Sequence, residues 1–408
     1  MANLLGFDRL TAFQRELFIR SVLIFFCVGL WFGSLYTVLI ILLLIAWQLD
    51  GDAQTFKELL KEPFVQAIII LCSGLLLGLI WSETSLTGRH KWAKYLLLLT
   101  YIPFMALLNK QRLPWVIGAV IAGYCLILFV GLYAWYAEQE QGVPAFDMTY
   151  LTFSAMLGIG SIVFICSACM CRHKMVQAVY SVAALLLLYL QFHQGARGFL
   201  LATLLTLVFV LINHFRLTLR TVSIIAVALA LIAAIFSYAS PTIQNRWVQA
   251  RLDLEHMQQG NYNNSIGYRI ALWDVGIYGI AEKPILGHGT GMPERYFDQT
   301  VVHYKNGIYA DLPAFQTTSH YHNDWIEMGM QLGALGIVSL LYLLWAWYRT
   351  FARNQLILPG IALVIFVVLS GMTETFLIFA RMPVLLLVIT AIVVSWQKNA
   401  MQSYPRYP

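Results

Sequence analysis

Charge is what this 408-residue chain has least of. Asp, Glu, Lys and Arg make up 11% of it and hydrophobic residues 60%, where a soluble domain carries about 25% charged residues. The mean hydropathy is +0.70. These values exclude both a water-soluble globular domain and a disordered chain. Cysteine is missing where a secreted scaffold would need it. All six (Cys27, Cys72, Cys125, Cys166, Cys169 and Cys171) fall in or at the ends of apolar stretches, so no disulfide staples the polar segment 240–322. There is no repeat at a fixed period and no low-complexity segment. No small-residue cleavage site follows a lone apolar stretch, so no cleavable signal is expected.

What the chain has instead is apolar runs. They fall at 18–33, 34–49, 63–82, 92–108, 113–136, 149–171, 175–193, 198–212, 219–239, 323–348, 356–375 and 377–397. Each approaches the roughly 20 residues that a helix needs to cross a bilayer. The expected fold is therefore an all-α polytopic membrane protein of about twelve transmembrane helices. Lys and Arg set its orientation. With the N-terminus inside, 15 of the 26 lie on inner loops and 5 on short outer loops; the other 6 fall in 240–322, which is too long to count. Both termini are expected to be cytoplasmic. The net charge of +6 is mostly this inner collar, which points to membrane lipids and not to nucleic acid. The expected organisation is helices one to nine over 1–239, a loop domain on the outer side over 240–322, and helices ten to twelve with a cytoplasmic tail over 323–408.

The segment 240–322 is the most informative. A long loop without obvious regular structure is functional or disordered, and Trp247, Tyr262, Tyr268, Trp273 and Phe315 argue against disorder. Ser240-Pro241 predicts a capped helix to about His256. Ser265 is expected to cap a second helix to about Ala281, stopped by Glu282-Lys283-Pro284. Residues 285–291, with three glycines, read as a flexible turn and 292–318 as irregular. Ser319 is expected to cap the tenth span.

In that register His322 falls in the opening turn of a helix. The positive end of a helix disfavours imidazolium, and a neutral imidazole is what a general base needs. Asn323 and Asp324 are placed to orient the ring or a substrate hydroxyl, with Ser319 or His320 near the cap, the plainer alternative being a polar cap at the interface. Arg269 stacks with Trp273 and Ile277 at four-residue spacing. Its planar fork suits phosphate, and an arginine snorkelling at the membrane is the competing reading. Arg197, in the outer turn Gly195-Ala196-Arg197-Gly198, stands at the end of a span, where a charge marks function by default. Arg89, His90, Lys91 and Lys94 form a second outward basic cluster able to hold a headgroup phosphate.

Metal ligands are scarce on the outer side. Cys166-x-x-Cys169-x-Cys171 lies at an inner helix end and reads as packing. Asp50-Gly51-Asp52 is on the inner side, Asp253 and Glu255 are splayed on one helix, and the first outer turn near Gly33 has no acid. Neither metal nor cofactor is expected.

Taken in order, Arg197-Gly198, Arg269-Ile-Ala-Leu-Trp273, Pro284-Ile-Leu-Gly287-His288-Gly289 and His322-Asn323 resemble the bacterial O-antigen ligase and polymerase family, over roughly 190–335. Ala196 departs from it, since the family often has serine there. The resemblance implies a GT-C-like glycosyltransferase of the bacterial inner membrane with a partly helical periplasmic loop and an active site facing the periplasm. It implies transfer of polysaccharide from undecaprenyl pyrophosphate to a lipid A-core sugar, metal-independent and inverting, in lipopolysaccharide biosynthesis. His322 would be the general base, and Arg197 and Arg269 would neutralise the pyrophosphate. Trp273, His320, Asn323, Arg89 and Lys91 would hold substrate. An O-antigen polymerase and a protein O-oligosaccharyltransferase share the pattern. A lipid-linked sugar flippase is a different class; it would show discontinuous helices in paired halves and charges at mid-membrane, whereas the charges here gather at the outer surface.

Overall fold

The computed structural model describes residues 11–33, 35–50, 53–83, 90–218, 220–221, 223, 241–317 and 320–403. Among them the chain is helical, with one isolated antiparallel bridge between Val143 and Met148. The helices are α1 (Ala12–Gly29), α2 (Tyr36–Asp50), α3 (Ala53–Leu59), α4 (Pro63–Gly78), α5 (Tyr101–Leu107) and α6 (Leu113–Tyr133). They continue as α7 (Tyr150–Met170), α8 (Lys174–Phe192), α9 (Arg197–Phe215), α10 (Pro241–Gln258), α11 (Ser265–Glu282) and α12 (Pro293–Thr300). The last are α13 (Leu312–Phe315), α14 (Asp324–Arg353), α15 (Ile357–Thr373) and α16 (Arg381–Ser403). A tightly wound 3-10 stretch, His90–Thr100, leads into α5. Among the described residues six helices are long and apolar enough to cross a membrane, and Thr37–Asp50, Pro63–Gly78 and Ile357–Thr373 are shorter apolar helices. The all-α polytopic fold is the one the sequence predicts. Most of the ninth apolar stretch, 219–239, lies outside the described residues, as do Ser240 and Ser319.

The chain forms two compact units, one of Met1–Ser73, Trp92–Leu207 and Ser339–Pro408, the other of Gly74–Lys91 and Val208–Val338. In the first, α7 packs along α8, α1 packs on α2 and α6, and α16 packs on α5, α6 and α7. Small residues on α7, among them Ser154, Ala155 and Ser161, are fully buried and let backbones come close, as membrane helix packing requires. By contrast α8 and α9 expose Leu185, Leu186, Leu201, Leu204 and Leu205, a surface that suits lipid and not water. The Asp50 carboxylate of the supposed Asp-x-Asp motif accepts from Arg112 at 2.7 Å and serves as an ion-pair partner.

The second unit is built on α11. Tyr268, Leu272 and Val275 lie along one helical face and are buried with Phe297 and Val301 from the α12 region, Tyr309, Tyr321 and Ile326. Each large apolar side chain buried here contributes about 1.5–3 kcal/mol. Segment 292–318, expected to be irregular, instead holds α12 and α13, because Tyr296 and Phe297 have a core to enter. The α11 cap is Asn264, whose side chain accepts from the Ile266 and Gly267 amides at 3.1 and 2.8 Å; Ser265 is the first helical residue. Such a cap contributes about 1 kcal/mol.

Residues 284–290 correct the expectation of a flexible turn. α14 is broken at Gly333 (φ 60°, ψ −144°), and the break frees backbone groups on both sides. The 284–290 segment takes them up: His288 and Gly289 amides donate to Met330 and Gln331 carbonyls at 2.8 and 3.0 Å, and the Ala334 and Leu335 amides donate to Pro284 and Ile285 carbonyls at 2.8 and 3.4 Å. Thr290 then caps the end of α4, its amide donating to Gly78 at 3.1 Å and its hydroxyl to Leu75 at 2.7 Å. The glycines are required where the chains touch. A Cβ on Gly287 would lie 2.6 Å from the Gly333 nitrogen, and one on Gly333 would lie 2.5 Å from the Ile285 carbonyl carbon.

Candidate active site

The site grows out of the turn 320–323, where α14 begins. α14 starts at Asp324 and its cap is Asn323, whose side-chain oxygen accepts from the Trp325 and Ile326 amides at 2.9 and 3.2 Å. The expected register is therefore corrected. His322 does not lie in an opening helical turn; it stands just before the helix, in a left-handed conformation with φ 49°. That conformation is uncommon for a non-glycine residue and several-fold enriched in histidine. It costs on the order of 1–3 kcal/mol and persists only where neighbours over-determine it.

Tyr321 supplies that over-determination. Its amide donates to Glu327 at 3.0 Å, its carbonyl accepts from the Trp273 indole at 3.1 Å, and its hydroxyl donates to the Pro293 carbonyl at 3.1 Å. It is completely buried. Glu327 is fixed in turn by the Gln331 amide at 2.9 Å. Sequence reasoning missed Glu327, although a lone acid inside the apolar run 325–348 was the available signal. The result is a rigid turn that carries His320, buried, and His322, half-buried, with ring centroids 4.1 Å apart. Two imidazoles this close could share a cation.

α11 forms the opposite wall. Tyr268 stands edge-on to His322 at 6.4 Å and Trp273 reaches Tyr321, so this helix lies along the turn. Arg269, half-buried, is one helical turn before Trp273 and on its face. The structure thus brings together Trp273, His320, His322 and Asn323, with Arg269 one helical turn along α11 from Trp273. Ile277 is exposed and takes no part. Asn323 spends its side-chain oxygen on the helix cap, which limits its expected role to what its amide group can donate.

Of the remaining predicted residues, Lys91 belongs to this same second unit, within electrostatic reach of Glu327, and Arg197 does not. Arg197 belongs to the first unit, exposed at the first residue of α9, where Gly198 lets the chain approach Thr373: a Cβ there would be 2.7 Å from the threonine hydroxyl. Lys91 is half-buried in the 3-10 stretch, and Arg89 lies outside the described residues.

Two further titratable groups shape the second unit. His288 is buried and its Nε2 lies 2.8 Å from the Gly279 carbonyl, which can only accept, so Nε2 carries the proton. Burial pushes its pKa below the usual histidine value, against the opposing pull of that hydrogen bond. Asp274 accepts from Lys305 at 2.6 Å, Tyr309 at 2.9 Å and Tyr304 at 3.1 Å, tying 304–309 to α11. Partial burial raises its pKa, but Lys305 and the two phenols outweigh that and hold the carboxyl below its ordinary range.

A polytopic helical membrane protein with a pinned histidine turn beside an arginine-bearing helix is the class that this geometry defines. Residues 181–341 match a family model described as O-Antigen ligase, a span that includes Arg197, Arg269 and His322. The chain is 26% identical over 172 residues to the "O-antigen ligase" of Escherichia coli (strain K12), covering 42% of this chain and 39% of that one. It is 24% identical over 137 residues to an "Uncharacterized protein" of Haemophilus influenzae (strain ATCC 51907 / DSM 11121 / KW20 / Rd), covering 33% of this chain and 32% of that one. It thus spans about a third to two-fifths of the length of these relatives. The resemblance to the O-antigen ligase family read from the motifs is upheld.

Proposed function

We propose that the protein is a glycosyltransferase of the O-antigen ligase type, moving a saccharide chain from a polyprenyl pyrophosphate carrier to a sugar hydroxyl of the lipid A core at the periplasmic face of the inner membrane. The carrying observation is the 320–323 turn, which holds His322 in a left-handed conformation and is tied through Tyr321 to Trp273 on α11, the helix that bears Arg269. In this reading His322 takes the proton of the acceptor hydroxyl. The hydroxyl oxygen attacks the anomeric carbon as the bond to the pyrophosphate oxygen breaks, which inverts the configuration. Arg269 and Arg197 offset the charge that develops on the leaving pyrophosphate, and Trp273 stacks on a sugar face. No metal is needed in this scheme, because arginine supplies fixed positive charge without proton transfer.

The test is transfer by purified protein given lipid-linked donor and rough lipopolysaccharide. His322→Ala is expected to lower turnover by about 10²–10⁴-fold, the usual weight of a general base, with donor binding and thermal unfolding kept. Wild-type turnover is expected to survive EDTA. Near wild-type transfer by the variant would end the base assignment. Transfer only to a second saccharide repeat, or only to protein, would move the activity to a polymerase or to protein glycosylation.

A further inference from the structure

The first unit contains a cavity of about 590 Å³ that the proposed chemistry does not use. Its walls are α6, α7, α8, α15 and α16, with Phe351 at the end of α14; Tyr124, Val163, Cys166, Leu363, Ile389 and Trp396 are among the lining residues. Four of these helices are long and apolar enough to cross a membrane. The volume is that of a pocket for a sizeable molecule. An empty apolar space of this size would forfeit the dispersion contacts of every group that lines it.

The lining says what kind of molecule fits. Its polar groups are largely spent on the protein itself: the Tyr124 hydroxyl donates to the Met156 carbonyl at 3.1 Å, the Ser167 hydroxyl to Val163 at 2.8 Å and the Cys171 thiol to His173 at 3.9 Å. The interior therefore offers hydrocarbon contacts. The exposed lining residues Met170, Val176 and Trp396 mark the mouth. Exposed Arg172 and Lys174 follow Met170 by two and four residues, and Lys398 follows Trp396 by two. Glu62 faces both Arg353 and Lys398, at 3.9 and 3.8 Å, one carboxylate against two cations. An apolar chamber opening beside surplus cations, with a tryptophan at the rim where such rings favour the headgroup level, matches an anionic lipid.

We propose that this cavity holds one acyl chain of an anionic glycerophospholipid, with Arg172 and Lys174 on its phosphate. The cysteine-rich end of α7, which resembles a metal cluster in sequence, then serves as part of the wall of a lipid site.

The full chain, purified from membranes in mild detergent, is examined by native mass spectrometry, then delipidated and offered phosphatidylglycerol or phosphatidylcholine. One phosphatidylglycerol per chain is expected, bound in preference to phosphatidylcholine. Val163→Trp, which fills the chamber, is expected to lose the bound lipid. The double variant Arg172→Glu, Lys174→Glu changes only exposed residues and keeps the fold testable; it is expected to lose the preference for phosphatidylglycerol. Absence of bound lipid in the wild type, equal uptake of both lipids, unchanged retention in Val163→Trp, or recovery of a polyprenyl lipid in place of a phospholipid would each overturn the assignment.

Discussion

Arg269 and Arg197 can be tested by what lysine does in their place. Lysine keeps the charge and the long stem but loses the bidentate fork that matches two phosphate oxygens. If these arginines offset leaving-group charge, Arg269→Lys and Arg197→Lys should lower kcat about tenfold or more at saturating donor, with a smaller change in donor affinity, because the interaction strengthens as charge develops. Arginine to alanine should be worse. If they merely anchor the protein at the interface, lysine should serve fully. His288 gives a second residue-scale prediction. Its pKa lies below the ordinary value in the fold, so between that value and about 6.5 the unfolded chain binds a proton that the folded one does not. Stability from this site is complete above about pH 6.5 and falls as pH drops through the folded pKa. Hydrogen exchange of 284–290, corrected for intrinsic rate, should rise between pH 7.5 and 5.5. His288→Gln should flatten that dependence, and an unchanged slope would show that another group titrates.

At the scale of elements, the break in α14 and the 284–290 segment depend on each other. Neither satisfies its backbone alone, and unsatisfied buried amides and carbonyls each cost about 1–3 kcal/mol. Gly333 is where this dependence is most exposed to test. A side chain there meets both an unfavourable backbone conformation and the Ile285 carbonyl carbon at 2.5 Å, a clash with backbone that cannot swing aside. Gly333→Ala should therefore destabilise the protein by about 2–4 kcal/mol, the sum of left-handed strain and overpacking, read as a lower unfolding temperature. Gly118, on α6 with nothing within 4 Å of an added Cβ, is the control: Gly118→Ala should be neutral or stabilise by up to about 1 kcal/mol. Equal effects at the two positions would mean that the break is not held as described. This junction was only half legible in the sequence. The Pro284 to Gly289 motif was visible, but its hydrogen-bond partners lie 42 to 50 residues further on, in a run that reads as continuous helix. Helix starts slipped for a different reason: Asn264 took the cap from Ser265 one residue away, and Asn323 caps α14 in place of the expected Ser319, several polar residues competing for each cap.

At the scale of the whole molecule, hydropathy carried the fold because a span must satisfy its backbone internally and bury few charges, so the pattern is written along each stretch. The candidate site was legible as residue types, Arg269 with Trp273 and His322 with Asn323, but its rigidity was not, since that rests on Tyr321, whose hydrogen bonds to Trp273 and Pro293 have no local signature. Orientation is an expectation from charge alone: with 15 Lys and Arg assigned to inner loops against 5 to short outer ones, the positive-inside trend predicts the loop domain outside. In a background with the native cysteines replaced, Gln299→Cys on α12 and Lys110→Cys between α5 and α6 would test this, since both positions are exposed. A membrane-impermeant maleimide should label Gln299→Cys in cells whose outer membrane is permeable to it, and should label Lys110→Cys only after the inner membrane is opened. The reverse pattern would place the His322 turn in the cytoplasm. There it would meet a different set of sugar donors, and periplasmic transfer from a polyprenyl carrier would have to be abandoned even if His322 proved essential.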